Sequence, residues 1–229
     1  MRFKKLFCCF CCLLFISCSC FFCGCKSSVQ TSPKQFYSVV IDAGHGGIDA
    51  GVIGTKTGVK ESDINLAITR LIADCFKNAG FKVTLTRNTQ AGLYGSLKSG
   101  FKMRDMACRA QIIKQANPTL IISVHQNFFS MPSRRGAQVF YQKGESKSKE
   151  FAQSLQKSLN GMPQAVRSCS ILSGDFYLLK VLPCPSVIVE CGFLSNSSDE
   201  ELLISPDYQA ELANFILEGT LNYLASAKD

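Results

Sequence analysis

Between residues 36 and 225 the chain alternates short apolar runs with longer stretches of helical periodicity. Phe36 to Ile41 (FYSVVI) is aromatic and β-branched, which predicts a buried strand. It runs into Asp42-Ala43-Gly44-His45-Gly46-Gly47, whose glycines allow a tight backbone path. Ser62 can cap a helix that reaches Ala79, with Ile64, Ile68, Leu71, Ile72, Cys75 and Phe76 on one face and Gly80 as its stop. Phe81 to Arg87 predicts the next strand, Asn88 to Phe101 a Gly- and Ser-rich loop, and Lys102 to Ala116 a second helix ended by Asn117-Pro118. Leu120 to Val124 (LIISV) is a wholly apolar strand that leads directly into His125.

The second half repeats the alternation. Gln138 to Tyr141, Phe176 to Leu179 and Ser186 to Val189 predict strands, the last ending at Glu190. Helices are expected at Ser146 to Leu159, with Phe151, Leu155 and Leu159 inward, at Asp199 to Ile204, and at Asp207 to Ala225. Strands that are continuous apolar runs, interleaved with helices, imply an α/β fold: a mainly parallel sheet with helices on both faces, in one catalytic-size domain over 36–229.

The N-terminal region reads differently. Basic Met1 to Lys5 precedes Leu6 to Phe22, an apolar run of about 17 residues, the lower limit for spanning a bilayer. Residues 1–25 are therefore expected to be an export signal or an N-terminal membrane anchor, with lipidation at Cys25 a further option. Residues 26–35 (KSSVQTSPKQ) read as a polar tether.

Composition changes this picture in two ways. Of 13 cysteines, eight precede Lys26; the five that remain (Cys75, Cys108, Cys169, Cys184, Cys191) are an odd number and suggest no disulfide framework, although a Cys169–Cys184 bridge stays open. The net charge of +8 is spread out, without the Lys/Arg clusters and interleaved aromatics of a nucleic-acid surface. Nucleic acid is set aside, and membrane contact is expected only through the N-terminal segment.

The chain has only 2 His, and both His45 and His125 follow apolar strands, as does Glu190. In open parallel sheets the carboxyl ends of strands line the binding crevice. Glu61 ends a loop that returns from the same edge. Singly, each has a plain reading: a hydrogen-bonded loop histidine, a carboxylate at a helix N-terminus, an ion-pair partner. Together, two histidines and a carboxylate with one position left for water fit a catalytic zinc site.

Five segments sharpen this: VVIDAGHGGIDAG (Val39 to Gly51), KESDINLAI (Lys60 to Ile68), TLTRN (Thr84 to Asn88), LIISVHQN (Leu120 to Asn127) and SVIVECGFLSN (Ser186 to Asn196). In order, they resemble the zinc-dependent N-acetylmuramoyl-L-alanine amidases, and GAQVFYQ (Gly136 to Gln142) with FYLLK (Phe176 to Lys180) resembles the branch acting on spore cortex in germination. The resemblance implies one zinc ion per domain held by His45, Glu61 and His125. It also implies Glu190 as the catalytic glutamate and peptidoglycan as substrate, cut between N-acetylmuramic acid and L-alanine. An exported, envelope location and an activating envelope protein belong to the same expectation. Arg87, Gln126 and Asn127 are candidate substrate contacts, Arg109 a structural residue, and Cys191, next to Glu190 in a strand, should face away from it. The stretch from Ser130 to Gln138 leaves no room for the helical insertion that occludes zinc in some members.

Other readings fit less well. A zinc exopeptidase or deacetylase would need different ligand spacing, and often an extra Asp; Asp42 and Asp49 read as loop-shaping. A non-catalytic wall-binding module has no need of Glu190. The GHGG loop lacks the G-x-G-x-x-G spacing of a dinucleotide site.

Overall fold

A computed structural model describes residues 37–96, 98–165 and 168–227; the proposed export segment and tether lie outside them. Among these residues the elements in chain order are β1 (Ser38–Ala43), α1 (Glu61–Asn78), β2 (Lys82–Leu85), α2 (Phe101–Ala116), β3 (Leu120–Asn127), β4 (Gln138–Gln142), α3 (Ser146–Asn160), β5 (Leu172–Gly174), β6 (Ser186–Phe193), α4 (Ser197–Leu203) and α5 (Pro206–Ser226), with a 3₁₀ turn at Leu178–Lys180.

The six strands form one sheet in the order β2-β1-β3-β6-β4-β5. β1 runs parallel to β2 and β3, and β3 parallel to β6; β4 is antiparallel to β6 and β5 parallel to β4. The sheet is thus mainly parallel, and its central strands β1, β3 and β6, the uninterrupted apolar runs, are buried almost throughout. Among the described residues no helix is long and apolar enough to cross a membrane.

The two faces differ in thickness of cover. Val39, Ile41, Ile122, Val124, Val187, Val189 and Cys191 point into the main core with α1, α3 and α5, where Ile68, Ile72, Phe76, Phe151, Leu155 and Ile216 are wholly buried. On the opposite face Val40 and Ile121 meet α2, through Ala110 and Ile113, and Leu178 of the 3₁₀ turn, with Val181, Leu182 and Cys184 packed at the margin. Register follows period two along the strands. On that thinner face β1 contributes Val40 and Asp42, β3 contributes Ile121, Ser123 and His125, and β6 contributes Ile188 and Glu190, with Asp42 opposite Ser123 and His125 opposite Glu190.

Several sequence expectations need correction. β3 and β6 continue to Asn127 and Phe193, so His125 and Glu190 lie within strands rather than after them; a bulge between His125 and Asn127 ends the regular pairing. Phe176 to Leu179 is no strand: Leu178–Lys180 is the 3₁₀ turn, while the neighbouring strand is Leu172–Gly174. A four-residue apolar run carries no periodicity that tells strand from helix. α1 begins at Glu61, one residue before the expected Ser62 cap, and no side chain caps it. Cys169 and Cys184 are both free thiols.

Candidate functional site

The loop after β1 is built to present His45. His45 takes a left-handed φ of 60°, and a Gly46–Asp49 bridge closes a tight turn behind it. That turn brings the Asp49 Oδ2 atom 3.0 Å from His45 Nδ1. Gly47 sits at φ 62° under the Tyr94 hydroxyl, which a Cβ would meet at 2.0 Å; the same hydroxyl accepts the Ile48 N–H at 2.9 Å. Glycine is also required at 44, where a Cβ would lie 2.2 Å from the His125 ring.

Two arginines hold this loop from beneath by its carbonyls. Arg87 donates to Ala43, Gly44, Ser62 and Thr89, each at 2.9 Å. Arg109 donates to Ala43 at 2.7 Å, to His45 at 2.6 Å, to Asp42 at 2.5 Å and to Asp105 at 2.6 Å. Asp42 accepts further from Thr86 at 2.6 Å and Ser123 at 2.7 Å. Burial alone would raise the Asp42 carboxyl, but the Arg109 guanidinium and the two hydroxyls hold it down at about 2.

Above this base three metal-capable side chains converge. His45, Glu61 and His125 offer ligand atoms that all lie within 4.8 Å of one another. The first turn of α1 supplies Glu61, whose Oε1 is 3.0 Å from His125 Nδ1 and 3.3 Å from His45 Nε2. Glu61 is itself fixed: Oε2 accepts from the Val52 N–H at 2.9 Å, and Oε1 accepts from the Gln126 N–H at 3.1 Å and Asn65 Nδ2 at 3.2 Å. Burial opposes ionisation of Glu61, yet the two imidazoles keep it far below the ordinary carboxylate range. Burial likewise pulls the His45 ring down, and Glu61 and Asp49 more than offset it, raising it to about 9. These three side chains lie close enough together that they could hold one divalent cation.

Glu190 faces the cluster from β6. Its Oε2 atom is buried and has no hydrogen-bond partner among the described residues. Burial pushes its carboxyl up to about 7, against the pull of His125. It lines a cavity of about 320 Å³ between α2 and the Phe176–Leu178 segment, which also reaches His45 and His125. The β3–β4 connection above contains no helix.

His45, Glu61, His125 and Glu190 are therefore brought together, and the remaining candidates are not. Arg87 is 4 % exposed, is not among the cavity walls and commits four of its five N–H groups to backbone carbonyls, so it is not placed to meet a substrate carboxylate. Gln126 does not border the cleft: strand alternation turns it to the α1 face, where it donates to Asn65 at 3.1 Å. The same alternation buries Cys191 away from Glu190, as expected. The Asn127 side chain accepts from the Phe128 N–H at 2.8 Å and is not among the cavity walls. Asp49 orients the His45 ring as well as shaping the loop; its place four residues after the loop histidine is the sequence signal for that second role.

A family model described as N-acetylmuramoyl-L-alanine amidase matches residues 39–222. The germination-specific N-acetylmuramoyl-L-alanine amidase of Bacillus subtilis (strain 168) is 31% identical over 206 residues, an alignment covering 88% of this chain and 84% of that protein. Among solved structures, the CwlD amidase from Clostridioides difficile in complex with the GerS lipoprotein superposes with a TM-score of 0.80 at 35% identity, covering 83% of this chain and 99% of that one. An N-acetylmuramoyl-L-alanine amidase from Clostridium difficile 630 does so at 0.74 and 29% identity, covering 83% and 98%.

Proposed function

This chain belongs to the N-acetylmuramoyl-L-alanine amidases, and from that premise we propose that His45, Glu61 and His125 hold one zinc ion while Glu190 acts as the general base. The substrate is peptidoglycan, and the bond cut is the amide joining the lactyl group of N-acetylmuramic acid to the stem-peptide L-alanine. Zinc at such a site supplies Lewis acidity, bringing the ionisation of water toward neutrality and polarising the scissile carbonyl.

The remaining work falls to the chain. Glu190 takes the proton of the attacking water and returns it to the amide nitrogen, which leaves only as an amine. In the chain without metal, burial raises the Glu190 carboxyl above the ordinary carboxylate range, the direction that suits a group taking and returning a proton near neutral pH. Asp49 fixes the His45 ring through Nδ1, leaving Nε2 on the side of Glu61. Arg109 and Arg87 keep the loop carbonyls in place beneath it.

The observation that carries this reading is the buried, unpartnered Oε2 of Glu190 beside the cluster. An unpaired buried carboxyl costs stability, and a wall-binding module would gain nothing from it. Mass spectrometry of digested peptidoglycan tests the bond: free stem peptides and peptide-less muramic acid are expected, and cleavage within the glycan or the peptide would overturn the assignment. Metal analysis tests the ligands: one zinc per domain, lost in His125→Ala, is expected, and an unchanged stoichiometry in that variant removes it from the set.

The similarity to the germination-specific enzyme supports spore cortex as the wall acted on. The CwlD amidase is seen with a lipoprotein, and an envelope partner of that kind is proposed here as an activator. Residues 1–25 export the chain and residues 26–35 tether the catalytic domain, 36–229, outside the cytoplasmic membrane. A fusion of residues 1–35 to a reporter active only outside that membrane is expected to be active; a silent, soluble fusion would overturn this location.

A further inference from the structure

The cavity beside Glu190 is not a uniform cleft. Tyr94, Phe101, Met106, Phe176, Tyr177 and Ile188 give it an aromatic and apolar side, opposite the charged residues around His45 and Glu190. Its basic side chains are paired with acids of the chain, Arg109 with Asp42 and Asp105 and Lys102 with Asp49 at 3.5 Å, while the Glu190 carboxyl faces the cavity with a buried oxygen that has no partner among the described residues. Two of the aromatic rings are set in advance. Phe176 packs over Gly174, where a Cβ would sit 2.3 Å from the ring, and edge-on to Phe140 at 5.8 Å. Tyr94 is fixed by the Ile48 N–H and by an edge contact with Phe101 at 5.5 Å. Tyr177 differs from both: it is 55 % exposed and has no ring partner among the described residues.

The scissile amide separates two chemically different halves. On the acyl side is a pyranose carrying uncharged acetamido and ether groups and an apolar C–H face. On the amine side is a peptide bearing carboxylates. A carboxylate entering this cavity would lose water, face the Glu190 carboxyl and find the Arg109 and Lys102 side chains already paired with acids of the chain, which is unfavourable. An uncharged sugar face loses little water and gains aromatic contact. About 320 Å³ is near the lower end of small-molecule sites, enough for one sugar unit but not for a glycan strand.

We propose that this cavity is the saccharide subsite, taking the sugar ring that bears the scissile acyl group, with Tyr177 as the stacking surface at its mouth. The assignment rests on the amidase reading above and gives it a direction: the glycan side of the bond lies between α2 and the Phe176–Leu178 segment, and the peptide leaves the other way.

The test compares the full chain with Tyr177→Ala and Tyr177→Phe on two soluble substrates. One is a disaccharide-peptide; the other is the same peptide acylated by an O-methyl-lactyl group with no sugar. Tyr177→Ala is expected to lower kcat/KM on the disaccharide-peptide by about tenfold, the scale of one aromatic contact. It should leave the sugar-free substrate unchanged, and Tyr177→Phe should restore the loss. Competition by N,N′-diacetylchitobiose should weaken in Tyr177→Ala, whereas competition by the free stem peptide should not. Equal losses on both substrates, no loss on the disaccharide-peptide, or weakened competition by the peptide instead would each overturn the subsite. A wild-type chain that cleaves these substrates at a bond other than the lactyl–alanine amide would overturn the amidase reading itself, a result distinct from all of these.

Discussion

Two polar clusters lie at the end of β1, in contact through one loop, and they are built on opposite principles. In the lower one, Asp42, Thr86, Arg87, Arg109 and Ser123, the donors and acceptors answer one another or backbone carbonyls. In the upper one, two imidazoles and a carboxylate converge within 4.8 Å, and Glu190 brings a buried oxygen without a partner among the described residues. The first network closes on itself and holds the loop in shape. The second keeps a buried carboxyl oxygen unpaired beside a group of side chains that could hold a cation. Burial and charge are common to both; only satisfaction distinguishes scaffold from site.

Breaking the closed network should have the largest effect on stability. Arg109→Met strands two carboxylates, Asp42 and Asp105, one of them wholly buried, and is expected to cost about 3–5 kcal/mol in chemical denaturation. A loss below about 1 kcal/mol would mean that the knot does not hold the loop. In the open cluster, Glu190→Gln is expected to fold and bind zinc normally while turnover falls on the order of a hundredfold or more. Full turnover at full occupancy would remove Glu190 from the reaction.

The pH dependence of stability separates the clusters further. Asp42 is held at about 2 against 3.8 for a free carboxyl, so its contribution is complete above about pH 4 and is lost as the pH falls through 2. Acid titration of unfolding should therefore reveal a drop on the order of 2 kcal/mol in that window, absent from Asp42→Asn. The smallest effect is expected from Asp49→Asn, which keeps the turn but weakens the hold on His45. Zinc affinity, measured by competition with a chelator, should fall about tenfold or somewhat more. Unchanged affinity would return Asp49 to a purely loop-shaping role.

Much of the site is legible in the amino-acid sequence. Both histidines and Glu190 follow apolar runs, and strand ends in such sheets gather at one edge, so their meeting can be read from local pattern alone. Glu61 is placed by its loop and by family likeness. Arg87, Gln126 and the FYLLK segment mislead for three separate reasons. The carbonyls that occupy Arg87 come from residues 43, 44, 62 and 89, which only folding brings together. Gln126 is drawn to the cleft by its proximity to His125 in sequence, although the alternation that correctly turns Cys191 away also turns Gln126 to the other face. FYLLK is too short for its period to be read.

The sequence by itself determined the α/β alternation, the helix faces and the edge of the sheet on which the chemistry stands. These depend on periods of two and 3.6 residues and on apolar runs, all local properties. Tertiary structure decided which polar groups are spent and which remain available, how thinly α2 covers its face, and where the aromatic cavity opens. Those depend on contacts between residues far apart in the chain, as when Arg109 reaches back to Asp42, and no local pattern encodes whether such a partner will be there.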